Sequence, residues 1–176
     1  MNIRGVIPEV INQFNLYDAS GVKQIGVGDE IELPELETIT DTISGGGIMG
    51  EIEDPVMGQF GSITMTIPFR VIHPNMTGAL QYNGVTGYVI RGVAQCIDPK
   101  SYETGTYNIR VVVRGKTKRL ALGTFAKGKK SESEVELEVF YIKVEINKEV
   151  VLELDKLNEI FIVNGEDVMS EVRSLS

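Results

Sequence analysis

Ser133-Glu134-Val135-Glu136-Leu137-Glu138-Val139-Phe140-Tyr141-Ile142-Lys143-Val144-Glu145-Ile146-Asn147 is the longest strand signal in the chain. Val135, Leu137 and Val139 alternate with acids, the period of two that sends side chains to opposite faces of a strand. The pattern then slips by one residue to Phe140, Ile142, Val144 and Ile146. Such a slip either marks a bulge or hands burial to the opposite face. We expect a strand that packs on its own core in one half and on a neighbour in the other. Asn147-Lys148 then turns the chain into a second strand, where Val150, Leu152 and Leu154 share a face.

The same alternation recurs upstream. Ile63, Met65, Ile67, Phe69 and Val71 alternate with Thr64, Thr66, Pro68 and Arg70, and Tyr107, Ile109, Val111 and Val113 mark another strand. Residues 87–97 are apolar on both faces, with Val89, Val93 and Ile97 on one side and Tyr88, Ile90 and Cys96 on the other. That strand should be central or covered on both sides. Short polar turns between these runs predict an antiparallel meander. Helix signals are confined to residues 73–81, after Pro74, and to residues 166–175, where Val168, Val172 and Leu175 keep helical spacing. The 176 residues are read as one mainly β, sandwich- or barrel-like domain.

Two stretches do not fit a core. Residues 41–61 hold Gly45-Gly46-Gly47, Gly50, Gly58, Gly61 and Pro55, with acids at 41, 51, 53 and 54. A loop this long inside a compact domain is usually functional or disordered, and we read it as an extended arm ordered against another subunit. Residues 123–133 carry Lys127, Lys129 and Lys130, a solvated basic loop.

Charge narrows the function classes. With 25 acids against 17 bases the net charge is −8, which disfavours gripping a phosphate backbone. Cys96 is the single cysteine, so no intramolecular disulfide is possible and a buried thiol is expected. No secretory signal and no run of roughly 20 apolar residues is present, so a cytoplasmically made protein without a membrane anchor is expected. His73 is the lone histidine, and no metal, cofactor or catalytic constellation is expected around it. Arg114-Gly115-Lys116-Thr117 looks like the end of a phosphate-binding loop, but Arg110 stands where the first glycine belongs. We read it as a hairpin turn. The acids Glu132, Glu134, Glu136 and Glu138 would line one strand face. They form either a solvated face or a negative stripe facing a channel, where it would keep DNA from sticking.

Several ordered fragments resemble the major tail tube proteins of contractile-tailed phages and related tailocins. They are Val10-Ile11-Asn12-Gln13-Phe14-Asn15-Leu16-Tyr17, Ile31-Glu32-Leu33-Pro34-Glu35-Leu36 as a strand, and the loop Gly45-Gly46-Gly47-Ile48-Met49-Gly50. Val111-Val112-Val113-Arg114-Gly115-Lys116, Phe140-Tyr141, residues 154–160 and Val163-Asn164-Gly165-Glu166-Asp167 follow in order. The resemblance spans nearly the whole chain; residues 61–81 and 166–176 match poorly. It implies a subunit of a hexameric ring whose strands join a continuous inner barrel. Stacked rings would form a hollow virion tube inside a sheath, with Ile43, Gly45, Gly46, Gly47, Ile48, Met49 and Gly50 reaching the adjacent ring. Implied partners are further copies of the chain, the tail sheath protein, the tape-measure protein, and baseplate and terminator proteins, with DNA passing through. Closing such a sheet in a ring would also remove its edges. The tube subunit of a non-contractile tail or a secretion-type injection system shares this logic. A sugar- or peptide-binding β-module fits less well, with no Trp and 7% aromatics, and a small β-barrel enzyme has no constellation to support it.

Overall fold

The computed structural model describes residues 3–80 and 85–175. Among these residues a 3-10 turn (Ile3–Gly5) is followed by ten strands and two short α-helices. They are β1 (Ile7–Asp18), β2 (Thr38–Ser44), β3 (Glu51–Phe60), β4 (Thr64–Phe69), α1 (Pro74–Gly78), β5 (Thr86–Ile97), β6 (Thr104–Ala121), β7 (Ser133–Ile146), β8 (Glu149–Asp155), β9 (Ile160–Val163), β10 (Glu166–Asp167) and α2 (Ser170–Leu175). Eight strands form one antiparallel sheet in the order β1-β5-β6-β7-β8-β9-β10, with β4 added on β7. β2 and β3 pair only with each other.

β7 organises the sheet because its two halves have different neighbours. Residues 133–138 lie between β4 and β6, and residues 141–146 lie between β6 and β8. The junction is the point where the apolar pattern slips. Gly115 faces Val139 and Arg114 faces Tyr141, so Phe140 is the extra residue of a bulge. The bulge corrects the expectation that the second half of the strand packs on a neighbour rather than on its own core. Val135, Leu137 and Val139 are fully buried, Ile142 joins the same cluster and Val144 packs against it. The one-residue slip in sequence is cancelled by a one-residue insertion in register, so burial stays on one face.

The bulge also explains Gly115, which is not in a turn but deep inside the 18-residue strand β6. A Cβ at that position would overlap the Glu138 carbonyl oxygen. Glycine lets the two backbones close up beside the bulge.

Met65, Ile67 and Phe69 of β4, Val111 and Val113 of β6, and Tyr88 and Ile90 of β5 complete the core with Leu16 and Met76. Full burial of such side chains stabilises the fold by about 1.5–3 kcal/mol each. All belong to a single cluster, so the sheet curls around its own apolar face. Burial also pushes the Tyr88 hydroxyl up to about 12, with the Asp18 carboxylate adding to it. Cys96 is fully buried and free.

Other expectations are refined. β5 is central, between β1 and β6, but its Val93 face is open, at 42% exposure. Ile31-Glu32-Leu33-Pro34-Glu35-Leu36 is not a strand; Ile31 and Leu36 pack on the core from irregular backbone. Pro34 has no N–H to give a ladder, and the segment has no pairing partner among the described residues. The helix expected over residues 73–81 covers only Pro74–Gly78, and Gln81 lies outside the described residues. His73 caps it, its Nδ1 accepting from the Asn75 N–H at 3.2 Å. The C-terminal helix begins at Ser170, because Glu166 and Asp167 pair with β9 after the Asn164-Gly165 turn. Asn147 and Lys148 both take positive φ, the geometry of a two-residue hairpin turn.

Candidate assembly surfaces

The stretch read as an extended, glycine-rich arm is a β-hairpin. Its strands start earlier than the glycines suggest, at Thr38, and Ile43 pairs with Ile52, Thr42 with Glu53 and Asp41 with Asp54. Glycine content hid the strands because Gly45-Gly46-Gly47 and Gly50 all sit in the connection at the tip. Alternation sorts the hairpin into two faces. Ile39, Ile43 and Ile52 lie on one, with Asp41 and Asp54 between them; Thr40, Thr42, Ser44, Glu51 and Glu53 lie on the other. Every β2 residue is exposed, and Met49 at the tip is fully so. The Asp41 and Asp54 carboxylates stand opposite one another, a pairing that costs stability.

The hairpin is nonetheless anchored at its root. Gly58, at φ +69, leaves room for the Met169 side chain, which a Cβ would overlap. Phe60 meets Phe161 edge-on with ring centroids 5.1 Å apart. The Gly61 N–H donates to the Glu37 carbonyl at 3.0 Å, and the Lys156 ammonium donates to the Gly61 carbonyl. A fixed root and an uncovered shaft make a projecting arm.

The acidic row on β7 is organised differently from its sequence appearance. Glu134, Glu136 and Glu138 share the face opposite Val135, Leu137 and Val139. Glu132 does not belong to it: it precedes the strand, with φ +54. Nor is the row unpaired. Arg119 bonds Glu134, and its Nε donates to Glu136 at 2.9 Å. Lys118 lies 3.8 Å from both Glu136 and Glu138. A second register shift makes this possible, since Thr117 faces Leu137 while Arg119 faces Glu136. The extra residue, Lys118, lets two successive cations serve one row. The hydrogen bond from Arg119 is the main reason the Glu136 carboxyl sits below its ordinary range, against the opposing effect of burial. The signal for this pairing was present in sequence, as Lys116-Thr117-Lys118-Arg119 in the strand that must lie beside the glutamates.

Two further surfaces stand out, the first not singled out as an edge by sequence and the second the basic loop expected over residues 123–133. β1 is an edge of the sheet, and Ile7, Val10 and Ile11 on it are more than half exposed. Unpaired edges of this kind are templates for another chain. The basic loop is held at its neck, where the Thr124 N–H donates to the Ser131 carbonyl at 2.8 Å, and it presents Phe125 at 88% exposure. Lys130 is bound to Asp29 at 3.1 Å. Lys127 and Lys129 meet no carboxylate among the described residues.

Among the described residues no three His, Cys, Asp or Glu side chains converge as a metal-binding group. No helix among the described residues is long and apolar enough to cross a membrane.

The fold has a counterpart among solved structures. The chain is similar to the sheath/tube terminator of an extracellular contractile injection system, PVC, determined by cryo-EM in its extended state. Identity is 13% and the TM-score 0.53, over 78% of this chain and 96% of that one. At that identity the likeness is one of fold. No curated protein matches the sequence. A sequence model of the family described as phage tail tube protein FII matches residues 8–175, nearly the whole chain. The chain therefore belongs to the phage tail tube protein FII family.

Proposed function

We propose that this protein is the repeating subunit of the inner tube of a contractile-tailed phage or phage-like particle. Six copies close a ring, and rings stack into a hollow conduit for DNA or the tape-measure protein. The role is structural, with no catalysis and no cofactor. Its partners are its own copies, the tail sheath protein outside, the tape-measure protein inside, and baseplate and terminator proteins at the ends.

The observation that carries this reading is the Thr38–Phe60 arm: a hairpin fixed at its root whose apolar face nothing among the described residues covers. A two-stranded hairpin is marginal in water by itself. The arm makes physical sense as a connector that a neighbouring copy completes, and we assign it to the contact between rings. The open edge at β1 suits the contact within a ring. The face of Glu134, Glu136 and Glu138 suits the channel wall. Its charges are nearly balanced by Lys118 and Arg119, so it offers no basic track to hold phosphates.

Negative-stain electron microscopy of the purified protein over a range of concentrations tests the reading. Rings or hollow tubes of uniform width are the expected result. The arm is tested by joining Thr40 to Pro55, partners across the hairpin, through an Asn-Gly turn. The shortened chain should form rings or folded monomers but no tubes. Particles near 19.4 kDa at all concentrations, even with a tail baseplate present as nucleus, would overturn the assembly reading.

A further inference from the structure

Charge is not spread evenly over this chain. Residues 24–69 contain nine acids and no lysine or arginine, whereas residues 104–131 contain eight lysines and arginines and no acid. Part of this is consumed inside the subunit, through Asp29 with Arg70 and Lys130, and through the β7 glutamates with Lys118 and Arg119. Among the described residues Glu30, Glu32, Glu35 and Glu37, in the irregular segment before β2, meet no cation, and Arg114 and Lys116 on β6 meet no carboxylate. The rest of the unpaired charge in these stretches is concentrated in two places. On the arm it is Asp41, Glu51, Glu53 and Asp54, which meet no cation among the described residues. On the basic loop it is Lys127 and Lys129.

Each of these patches also carries an uncovered apolar group. The arm offers Met49 at its tip and the Ile43/Ile52 face, and the loop offers Leu122 and Phe125. The two are therefore matched in both charge and apolar content. Met49, Leu122 and Phe125 are all left exposed within the subunit, and the two patches arise at opposite ends of β4. The arm joins β4 through Gly61, whereas the loop is tied to the far end by the Ser131 N–H donating to the Arg70 carbonyl at 2.8 Å. At about 3.3 Å per residue the intervening strand separates the two attachment points by nearly 20 Å. A surface at one end that complements a different surface at the other end makes a heterologous contact, and such contacts propagate rather than close in a pair.

We propose that the arm of one copy docks on the basic loop of a copy in the next ring, with Glu51 and Glu53 facing Lys127 and Lys129 and Met49 packing beside Phe125. This rests on the tube reading and names the receptor for its connector. Electrostatic matching of this kind fixes register and speeds encounter, and salt weakens it.

Reciprocal charge reversal tests it. Glu51→Lys with Glu53→Lys, and Lys127→Glu with Lys129→Glu, should each cut the pelletable tube fraction at least tenfold. All four changes in one chain should restore most of it. Thermal unfolding of the unassembled variants checks that each chain still folds. Tubes at wild-type yield from either reversed pair would overturn the proposal, and so would loss of assembly that the fourfold variant does not rescue. Normal tubes that fail only to recruit sheath would give the loop to another partner, and also overturn it. Absence of tubes from the wild-type chain would count against the tube reading instead. Docking is then read by mixing Met49→Cys with Phe125→Cys chains under mild oxidation, since the native thiol is buried. A disulfide-linked mixed dimer, far above the level in either chain alone, is the expected result; its absence overturns the docking.

Discussion

Thr64-Met65-Thr66-Ile67 in β4 and Thr40-Asp41-Thr42-Ile43 in β2 are both written by alternation, yet they end in opposite surroundings. Met65, Ile67 and Phe69 are all but inaccessible, while Ile39 and Ile43 are 48% and 42% exposed. The local backbone is the same; the neighbours are not. β4 pairs with β7, which β6 flanks on its other side, so the apolar face of β4 closes on a core. β2 has only β3. Alternation tells that a strand has an apolar face, and topology decides whether the chain itself covers it. What is left open on the arm is then a statement about assembly.

Truncating one residue in each region gives the largest contrast. Leu137→Ala leaves a hole in a fully buried position and should cost about 2–5 kcal/mol, read by urea unfolding below the assembly concentration. Ile43→Ser with Ile52→Ser should leave that same unfolding curve within about 0.5 kcal/mol of wild type, as exposed positions do. The arm variant should instead lose tube formation, which Leu137→Ala does not target. Equal destabilisation by the two would mean that the arm is part of the folded core, and the contrast would collapse.

A smaller effect is expected where the sheet is tightest. Gly115→Ala drives a Cβ against the Glu138 carbonyl beside the Phe140 bulge, and backbone must shift to admit it. We expect a loss of about 1–3 kcal/mol in the same assay. Gly46→Ala on the arm, where nothing lies within reach of a Cβ, should leave stability unchanged. A Gly115→Ala chain as stable as wild type would show that the bulge is not a fixed part of the sheet.

These positions also show why some of the molecule could be read from sequence and some could not. Period-two runs located β4 to β8 because one face of each is buried. They located the slip at Phe140 but not its meaning, since a bulge and a change of face look alike until the partner strand supplies Gly115 across from it. Glycine misled twice. Gly115 suggested a turn in mid-strand, and the tip glycines made β2 and β3 look irregular. The arm was legible as a segment that cannot serve a core; the cations beside the β7 row were visible as Lys116-Thr117-Lys118-Arg119, but which of them balance it was not. That balance depends on a register shift at Lys118, which is decided by pairing between distant strands.

The smallest effect concerns those same ladders under acid. Hydrogen bonding to Arg119 holds the Glu136 carboxyl below its ordinary value of 4.5, and Lys143, with Arg110, does the same to Glu145. The unfolded chain takes up these protons near 4.5, whereas the folded chain resists until lower pH. Their stabilisation is therefore complete above that value and drains as pH falls through the depressed folded values. Both sites are solvent-screened, so the contribution is modest. The thermal midpoint of the unassembled protein between pH 7 and pH 3 should fall more steeply for wild type than for Arg119→Gln, with the curves parting above about pH 4.5 and converging below. Curves that stay parallel throughout would mean that the Arg119 ladder does not act in solution. The arm has no such ladder, because its carboxylates meet no cation among the described residues. Sheet and arm thus differ in electrostatics as they do in burial: the β7 row is met by cations of its own sheet, and the arm carboxylates meet none among the described residues.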